Sequence, residues 1–206
     1  MAELLEIHPE TPQRRHILRV VEQLRRGAVI AYPTDTTWAL GAAIGEKSAL
    51  ARIIRLRRLD EKHQFTLVFS DLAGSGAYAR YDTPSYRLLK AHTPGPWTFI
   101  LAAAREVPRR LQHPKKKTIG LRVPDSPIAL ALLHELAEPM LTTTLRMPGD
   151  DYALTEADEI ERRAGHGIDL ILDGGPCSMD LTTVVDMTGE VPQVVREGSG
   201  QSSAFD

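Results

Sequence analysis

The chain has 206 residues, 42% hydrophobic and 25% charged, with a net charge of −2. This is the composition of a globular protein long enough for one well-buried core, and it leaves no overall attraction to nucleic acid or membrane, so any basic surface has to be local. A single cysteine, Cys177, excludes an internal disulfide; with no apolar run near 18 residues and no signal-like start, a cytoplasmic protein without membrane contact is expected.

Thr11-Pro12 predicts a helix start, the threonine capping free N–H groups and the proline sitting where none is needed. Ile17, Val20, Val21 and Leu24 recur at helical spacing up to Gly27. Arg14, Arg15, Arg19, Arg25 and Arg26 fall largely off that stripe, as a solvated face. Ala28 to Tyr32 reads as a short buried strand, stopped by Pro33, which has no N–H for a sheet ladder. Thr34, Asp35, Thr36 and Thr37 follow, then the apolar patch from Trp38 to Leu40. A strand that runs from the interior into hydroxyls and a carboxylate fits the mouth of a pocket at a strand end. A polar loop with a chance run of threonines is the plain alternative.

Ser48 to Arg57 predicts a second helix with Leu50, Ile53 and Ile54 facing inward. Its end is dense in cations: Arg52, Arg55, Arg57, Arg58 and Lys62, against Asp60 and Glu61. Phe65 to Phe69 reads as a strand. Ser70 to Tyr78 and Pro84 to Lys90 read as short helices, the second begun by Asp82-Thr83-Pro84. Thr93 to Pro96 is a turn and Trp97 to Ala102 a strand. A second basic run, Arg105 to Lys117, ends in Lys115, Lys116 and Lys117, with Glu106 its only acid. Thr118 to Pro124 is a strand stopped by proline, Ser126-Pro127 caps a helix through Leu136, and Pro139 to Thr144 is a strand ending in hydroxyls. Thr155 to Asp158 carries a capping signal for a helix to about Gly165. Ile168 to Leu172, Thr182 to Asp186 and Val191 to Val195 complete the strands, and the polar tail Ser199 to Asp206 is expected to be loose. Together these elements predict an α/β fold with a mixed sheet, in a single domain over residues 1–206.

The seven histidines are scattered without ligand spacing, so no protein-bound metal is expected. Cys177 has no activating motif beside it and reads as an inert thiol. Neither a Gly-x-Ser-x-Gly elbow nor a P-loop is present. What remains is cations and hydroxyls at strand ends: Thr34, Thr36, Arg55, Arg57, Arg122, Thr142 to Thr144, Thr182, Thr183 and Arg196. Taken singly, each arginine is as readily a solvated charge. Meeting in one cleft, they would bind a polyanion such as a nucleoside triphosphate.

Tyr32-Pro-Thr-Asp-Thr-Thr-Trp-Ala-Leu-Gly41 resembles the opening signature of the YrdC/YciO family. The likeness continues in family order through Arg55-Leu56-Arg57 (a Lys-x-Arg position), Pro94-Gly95-Pro96, Gly120-Leu-Arg-Val-Pro124, Thr182-Thr-Val-Val-Asp186 and Arg196-Glu197-Gly198. His8-Pro9 and His63 to Leu67 are most similar to the YciO branch. The resemblance implies a twisted open α/β sheet with flanking helices and a positively charged concave face. In the YrdC branch that face makes L-threonylcarbamoyl-AMP from ATP with its Mg2+, L-threonine and bicarbonate, for the t6A modification of tRNA. By position, Thr34 and Thr36 would contact threonine, and Arg55 and Arg57 the phosphates. Arg122 and Thr183 would hold the carboxylate or carbamate, and Thr144 and Arg196 would lie against the nucleotide, with Arg55, Arg57 and Arg122 carrying catalysis.

Three positions depart from the pattern: Arg55 replaces the lysine, Arg58 the usual proline, and Thr144-Leu145-Arg146 the Ser-x-Asn of active synthases. Two function classes therefore stand side by side. One is a threonylcarbamoyl-AMP synthase or an altered paralogue of it. The other is a paralogue that binds double-stranded RNA or tRNA through Arg58, Lys62, Lys115, Lys116 and Lys117 without synthase activity.

Overall fold

The computed structural model describes residues 2–60 and 62–205; Met1, Glu61 and Asp206 lie outside it. The described strands form one sheet: β1 (Glu3–Glu6), β2 (Ile30–Tyr32), β3 (Ala39–Ala43), β4 (Thr66–Val68), β5 (Ala79–Arg80), β6 (Trp97–Ala103), β7 (Thr118–Arg122), β8 (Met140–Thr144), β9 (Leu170–Asp173), β10 (Thr183–Asp186) and β11 (Gln193–Arg196). Their spatial order is β1-β9-β2-β3-β8-β4-β7-β6-β10-β11, with β5 beside β6. The pairs β1/β9, β2/β9, β4/β7 and β6/β10 are parallel and the others antiparallel, so the sheet is mixed, as expected. Five α-helices flank it: α1 (Arg14–Arg25), α2 (Lys47–Arg57), α3 (Thr83–Ala91), α4 (Pro127–Leu136) and α5 (Ala157–Ala164).

Side chains alternate across the strands, so each strand feeds two layers. On one face, Ile30, Tyr32, Met140, Leu170 and Leu172 pack against the apolar stripes of α1 and α4. On the other, Leu40, Leu67, Phe99, Leu121, Leu141 and Ile171 share one core with the buried residues of α2 and α5. The first core draws on strands from β1 to β4 in the spatial order and on none of β6, β7, β10 or β11. The candidate site lies over that uncovered half and the adjoining ends of β4 and β8.

Several local expectations hold for the reasons given. Asp82 accepts from Ser85 N–H and Ser126 from Ala129 N–H, each at the start of its helix. Gly27 ends α1 at a φ of 87°. Others are corrected. The Thr11 hydroxyl binds His8 Nδ1 instead of capping, and α1 starts at Arg14 with no side-chain cap. Thr155 likewise caps nothing: α5 follows Glu156, and the Thr155 carbonyl accepts from Trp38 Nε1. Ile54 is exposed, because the inward stripe of α2 is Ala49, Leu50, Ile53 and Leu56. Within 70–78 only a 3-10 turn forms, Ser75–Ala77. Arg25 reaches the carbonyls of Glu135 and Leu136 at the end of α4, so it is not merely solvated. The tail to residue 205 is packed: Phe205 lies against Trp97 and His92, with ring centroids 5.2 and 4.8 Å away.

Candidate functional site

The open half of the sheet forms the floor of a cavity of about 580 Å³, within the usual range of small-molecule sites. Thr66 on β4, Thr98 and Ile100 on β6, Arg122 on β7, Thr142 and Thr144 on β8 and Val184 on β10 supply that floor. Gly120 sits in register between Thr66 and Ile100, and a Cβ there would collide with the Thr66 hydroxyl. Its bare backbone keeps the floor low. The segment following β2 and the segment following α2 form the walls, with Arg146 and Arg196.

Arg122 is the deepest charge. One guanidinium nitrogen, Nη2, donates to Asp35 Oδ1 at 2.6 Å, Thr36 Oγ1 at 3.0 Å and Thr34 Oγ1 at 3.3 Å. The Arg122 and Asp35 side chains are only 9% and 10% exposed. Thr34 supports this cluster, donating to the Thr37 carbonyl, while Thr36 and Thr37 reach the cavity. Three buried polar atoms here have no partner among the described residues: Arg122 Nε, Asp35 Oδ2 and Thr37 Oγ1. Buried polar atoms are rarely left unpaired without a reason, and a ligand is one.

The end of α2 supplies the next group. Arg57 donates through Nε to the Arg146 carbonyl at 2.9 Å and through Nη1 to Thr143 Oγ1 at 2.7 Å. Burial, and then the charge of Arg146, pull its pKa down to about 10, so it stays charged at neutral pH. His63 stands beside it, 3.2 Å from Thr143 Oγ1. Burial, and then Arg57, hold its pKa down at about 4, with Asp60 opposing. The imidazole is therefore neutral at pH 7. Because the unfolded chain protonates first, His63 contributes fully to stability above pH 6.5 and loses that contribution as pH falls toward 4. The loss is at most about 3 kcal/mol. His63→Gln should flatten this part of the pH dependence in thermal unfolding at pH 7 and pH 4; an unchanged slope would show that His63 is not held neutral.

Arg55 does not join the site. Two residues apart on a helix are about 200° apart around its axis, and Arg55 lines a separate hollow with Arg52, Arg163 and His166. Arg58, in the left-handed region at a φ of 48°, borders both hollows.

On the far wall the threonine assignment shifts by one. Thr183 faces the core and donates to the Gly200 carbonyl at 2.7 Å. Thr182 lines the cavity in its place, its hydroxyl 2.9 Å from both Thr98 Oγ1 and Arg196 Nη2. Strand alternation forces this choice. Burial, with Arg122 and Arg146 nearby, lowers the Arg196 pKa. Thr144 lines the cavity as expected.

Lys62 is exposed. Lys115, Lys116 and Lys117 lie in the turn joining β6 to β7, beside Ala102 and Ala103. Thr98 and Arg122, which face the cavity, lie at the other ends of those strands. Cys177 is partly buried against the Thr34 carbonyl, and burial pushes its thiol up to about 11. Sequence reading passed over Thr98, His63 and Arg146 as site residues. Period-two alternation from Ile100 back to Thr98, and the neighbourhood of Thr143, were the available signals.

A family model covering Sua5, YciO and YrdC, described as "Telomere recombination", matches residues 22–198. The crystal structure of E. coli YciO is similar over 100% of both chains, at 47% identity and a TM-score of 0.96. A threonylcarbamoyl-AMP synthase of Nitrosococcus oceani is 33% identical over 152 residues, 73% of this chain and 81% of that protein. P. abyssi Sua5 complexed with L-threonine shares the fold at a TM-score of 0.86 and 24% identity, with 95% of this chain set against 57% of that one. With a family match over most of its length and whole-chain likeness in fold, the chain belongs to the Sua5/YciO/YrdC family.

Proposed function

We propose that the cavity binds Mg-ATP and L-threonine and that the chain forms L-threonylcarbamoyl-AMP from them and bicarbonate, releasing pyrophosphate. One observation carries this reading: Arg57, Arg58, Arg122, Arg146 and Arg196 converge with threonine hydroxyls on one cavity. Guanidinium forks and hydroxyls together suit phosphate and carboxylate oxygens. The likeness to a threonylcarbamoyl-AMP synthase, and in fold to a Sua5 complexed with L-threonine, supports a nucleotide and an amino acid as the ligands.

In this reading the threonine amine attacks the bicarbonate carbon, water leaves, and a carbamate forms. A carbamate oxygen then attacks the α-phosphorus of ATP, and the bond to pyrophosphate breaks. The transfer needs charge neutralisation and alignment more than a base. Arg122 Nε, a spare buried donor, is placed for the threonine or carbamate carboxylate, with Thr36 beside it. Arg57, Arg58 and Arg146 face the phosphates, and Thr144, Thr182 and Arg196 the nucleotide. Magnesium arrives with the triphosphate as part of the substrate.

Arg58 and Lys62, exposed near the rim, favour one competing polyanion, an RNA backbone. Pyrophosphate release by the purified chain, measured with each substrate omitted in turn, decides between the two. Release that requires both threonine and bicarbonate is expected. No release, with duplex RNA displacing Mg-ATP, would replace the synthase reading with the RNA one.

A further inference from the structure

Behind the nucleotide wall the chain's own carboxy-terminal segment takes the place a helix would fill. Trp97 and Thr183 pair in register on the core side of β6 and β10, while Thr98 and Val184 pair on the cavity side. Residues 199–205 run along the core side. Ser199 N–H donates to the Leu181 carbonyl at 2.9 Å, and the buried Thr183 hydroxyl donates to the Gly200 carbonyl at 2.7 Å. Thr182, between those two anchored residues, faces the cavity. A Cβ on Gly200 would come within 2.7 Å of the Trp97 ring, so the segment lies directly on that side chain. Phe205 closes the contact against Trp97, His92 and Phe99.

We infer that residues 199–205 are a positioning strap for the cavity, with Thr183 and Phe205 as the positioning residues that hold Thr182 and, through it, Arg196. The connection is continuous. Arg196 donates to the Thr182 carbonyl through Nε at 3.1 Å and Nη2 at 2.8 Å, and again to the Thr182 hydroxyl. Thr98 meets that same hydroxyl. Fixing the backbone on both sides of Thr182 therefore fixes a threonine pair and an arginine on the wall opposite the Arg122–Asp35 cluster. Among the described residues Arg122 donates to Thr34, Asp35 and Thr36 and not to the strap, so the strap's influence is confined to one half of the site.

The inference depends on the proposed function only for which ligand meets that wall, and the test separates the two. Hydrogen exchange on the full chain is compared for wild type, Thr183→Val, Thr183→Ser and Phe205→Ala. In Thr183→Val and Phe205→Ala, amides of Leu181–Val184 and Val194–Arg196 should exchange about five- to tenfold faster, the scale of one lost hydrogen bond in the first and of lost aromatic packing in the second. Amides of Thr34–Thr37 and Ile119–Arg122 should not change, and Thr183→Ser should behave as wild type. Unchanged exchange at Leu181–Val184, or equal acceleration at Thr34–Thr37, overturns the strap whatever ligand the protein takes. In Mg-ATP titration the Kd should rise about five- to tenfold in Thr183→Val while that for L-threonine holds. Equal loss of both would mean a general structural role and would also overturn it. A wild type that does not bind Mg-ATP removes the synthase reading and leaves the exchange result standing.

Discussion

Arg122→Met should destabilise the protein by about 3–5 kcal/mol and abolish L-threonine binding, the largest effect expected from a single change in the site. The substitution keeps much of the side chain's volume but removes the partner of Asp35, whose carboxylate would stay buried with both oxygens poorly satisfied. Removing one partner of a buried pair leaves an uncompensated charge, which is why the cost exceeds the value of the bond itself. Pairing the change with Asp35→Leu should therefore recover a good part of the stability and none of the ligand binding. Urea unfolding of the two single variants and the double gives the coupling. A loss below about 1 kcal/mol in Arg122→Met would mean that Asp35 finds water or another donor, and that the cluster is not the buried anchor described.

Arg57→Ala should weaken Mg-ATP binding by about 1.5–3 kcal/mol, roughly 10- to 150-fold, while Arg55→Ala leaves it within about twofold. Both residues fall in the short motif at the end of α2, so this pair tests geometry against motif. Arg57 is held between the Arg146 carbonyl and Thr143 at the cavity wall, and Arg55 points into the other hollow. Calorimetric titration of the two variants is sufficient. Equal losses would place the triphosphate across both hollows, with Arg58 at the junction, and would return Arg55 to the site.

What the sequence made legible was whatever a local rule decides. Prolines ended strands at Pro33 and Pro124, and Ser126 and Asp82 capped helices because their oxygens were left able to accept, Ser126 doing so while its hydroxyl donates to the Pro33 carbonyl. Thr11 failed as a cap because His8, three residues away, offered its hydroxyl a different partner. β1 escaped notice since Glu-Leu-Leu-Glu has no apolar alternation; it is a strand because β9 lies beside it, more than 160 residues on in the chain.

The same limit applies to the site. The hydroxyl-ending strands and the arginines Arg57, Arg122 and Arg196 were readable. Which of Thr182 and Thr183 faces the ligand, and which of Arg55 and Arg57, depended on the phase of a strand or helix against its neighbours. Phe205 looked like part of a polar tail, and its aromatic surface acquires meaning only next to Trp97.

The order of strands in the sheet has a consequence for synthesis. β10 and β11, made well after β6, complete a wall that β6 begins, and β9 enters between β1 and β2 long after both have emerged. Pairings across such separations form late, since chain ends must meet before the contact repays the lost freedom. No shorter nascent chain contains the whole constellation from Thr36 to Arg196. A ribosome-bound intermediate lacking β10 and β11 would expose the edge of β6 and lack Thr182 and Arg196, so a ligand that needs that wall could stabilise the fold only after residue 196 has been added.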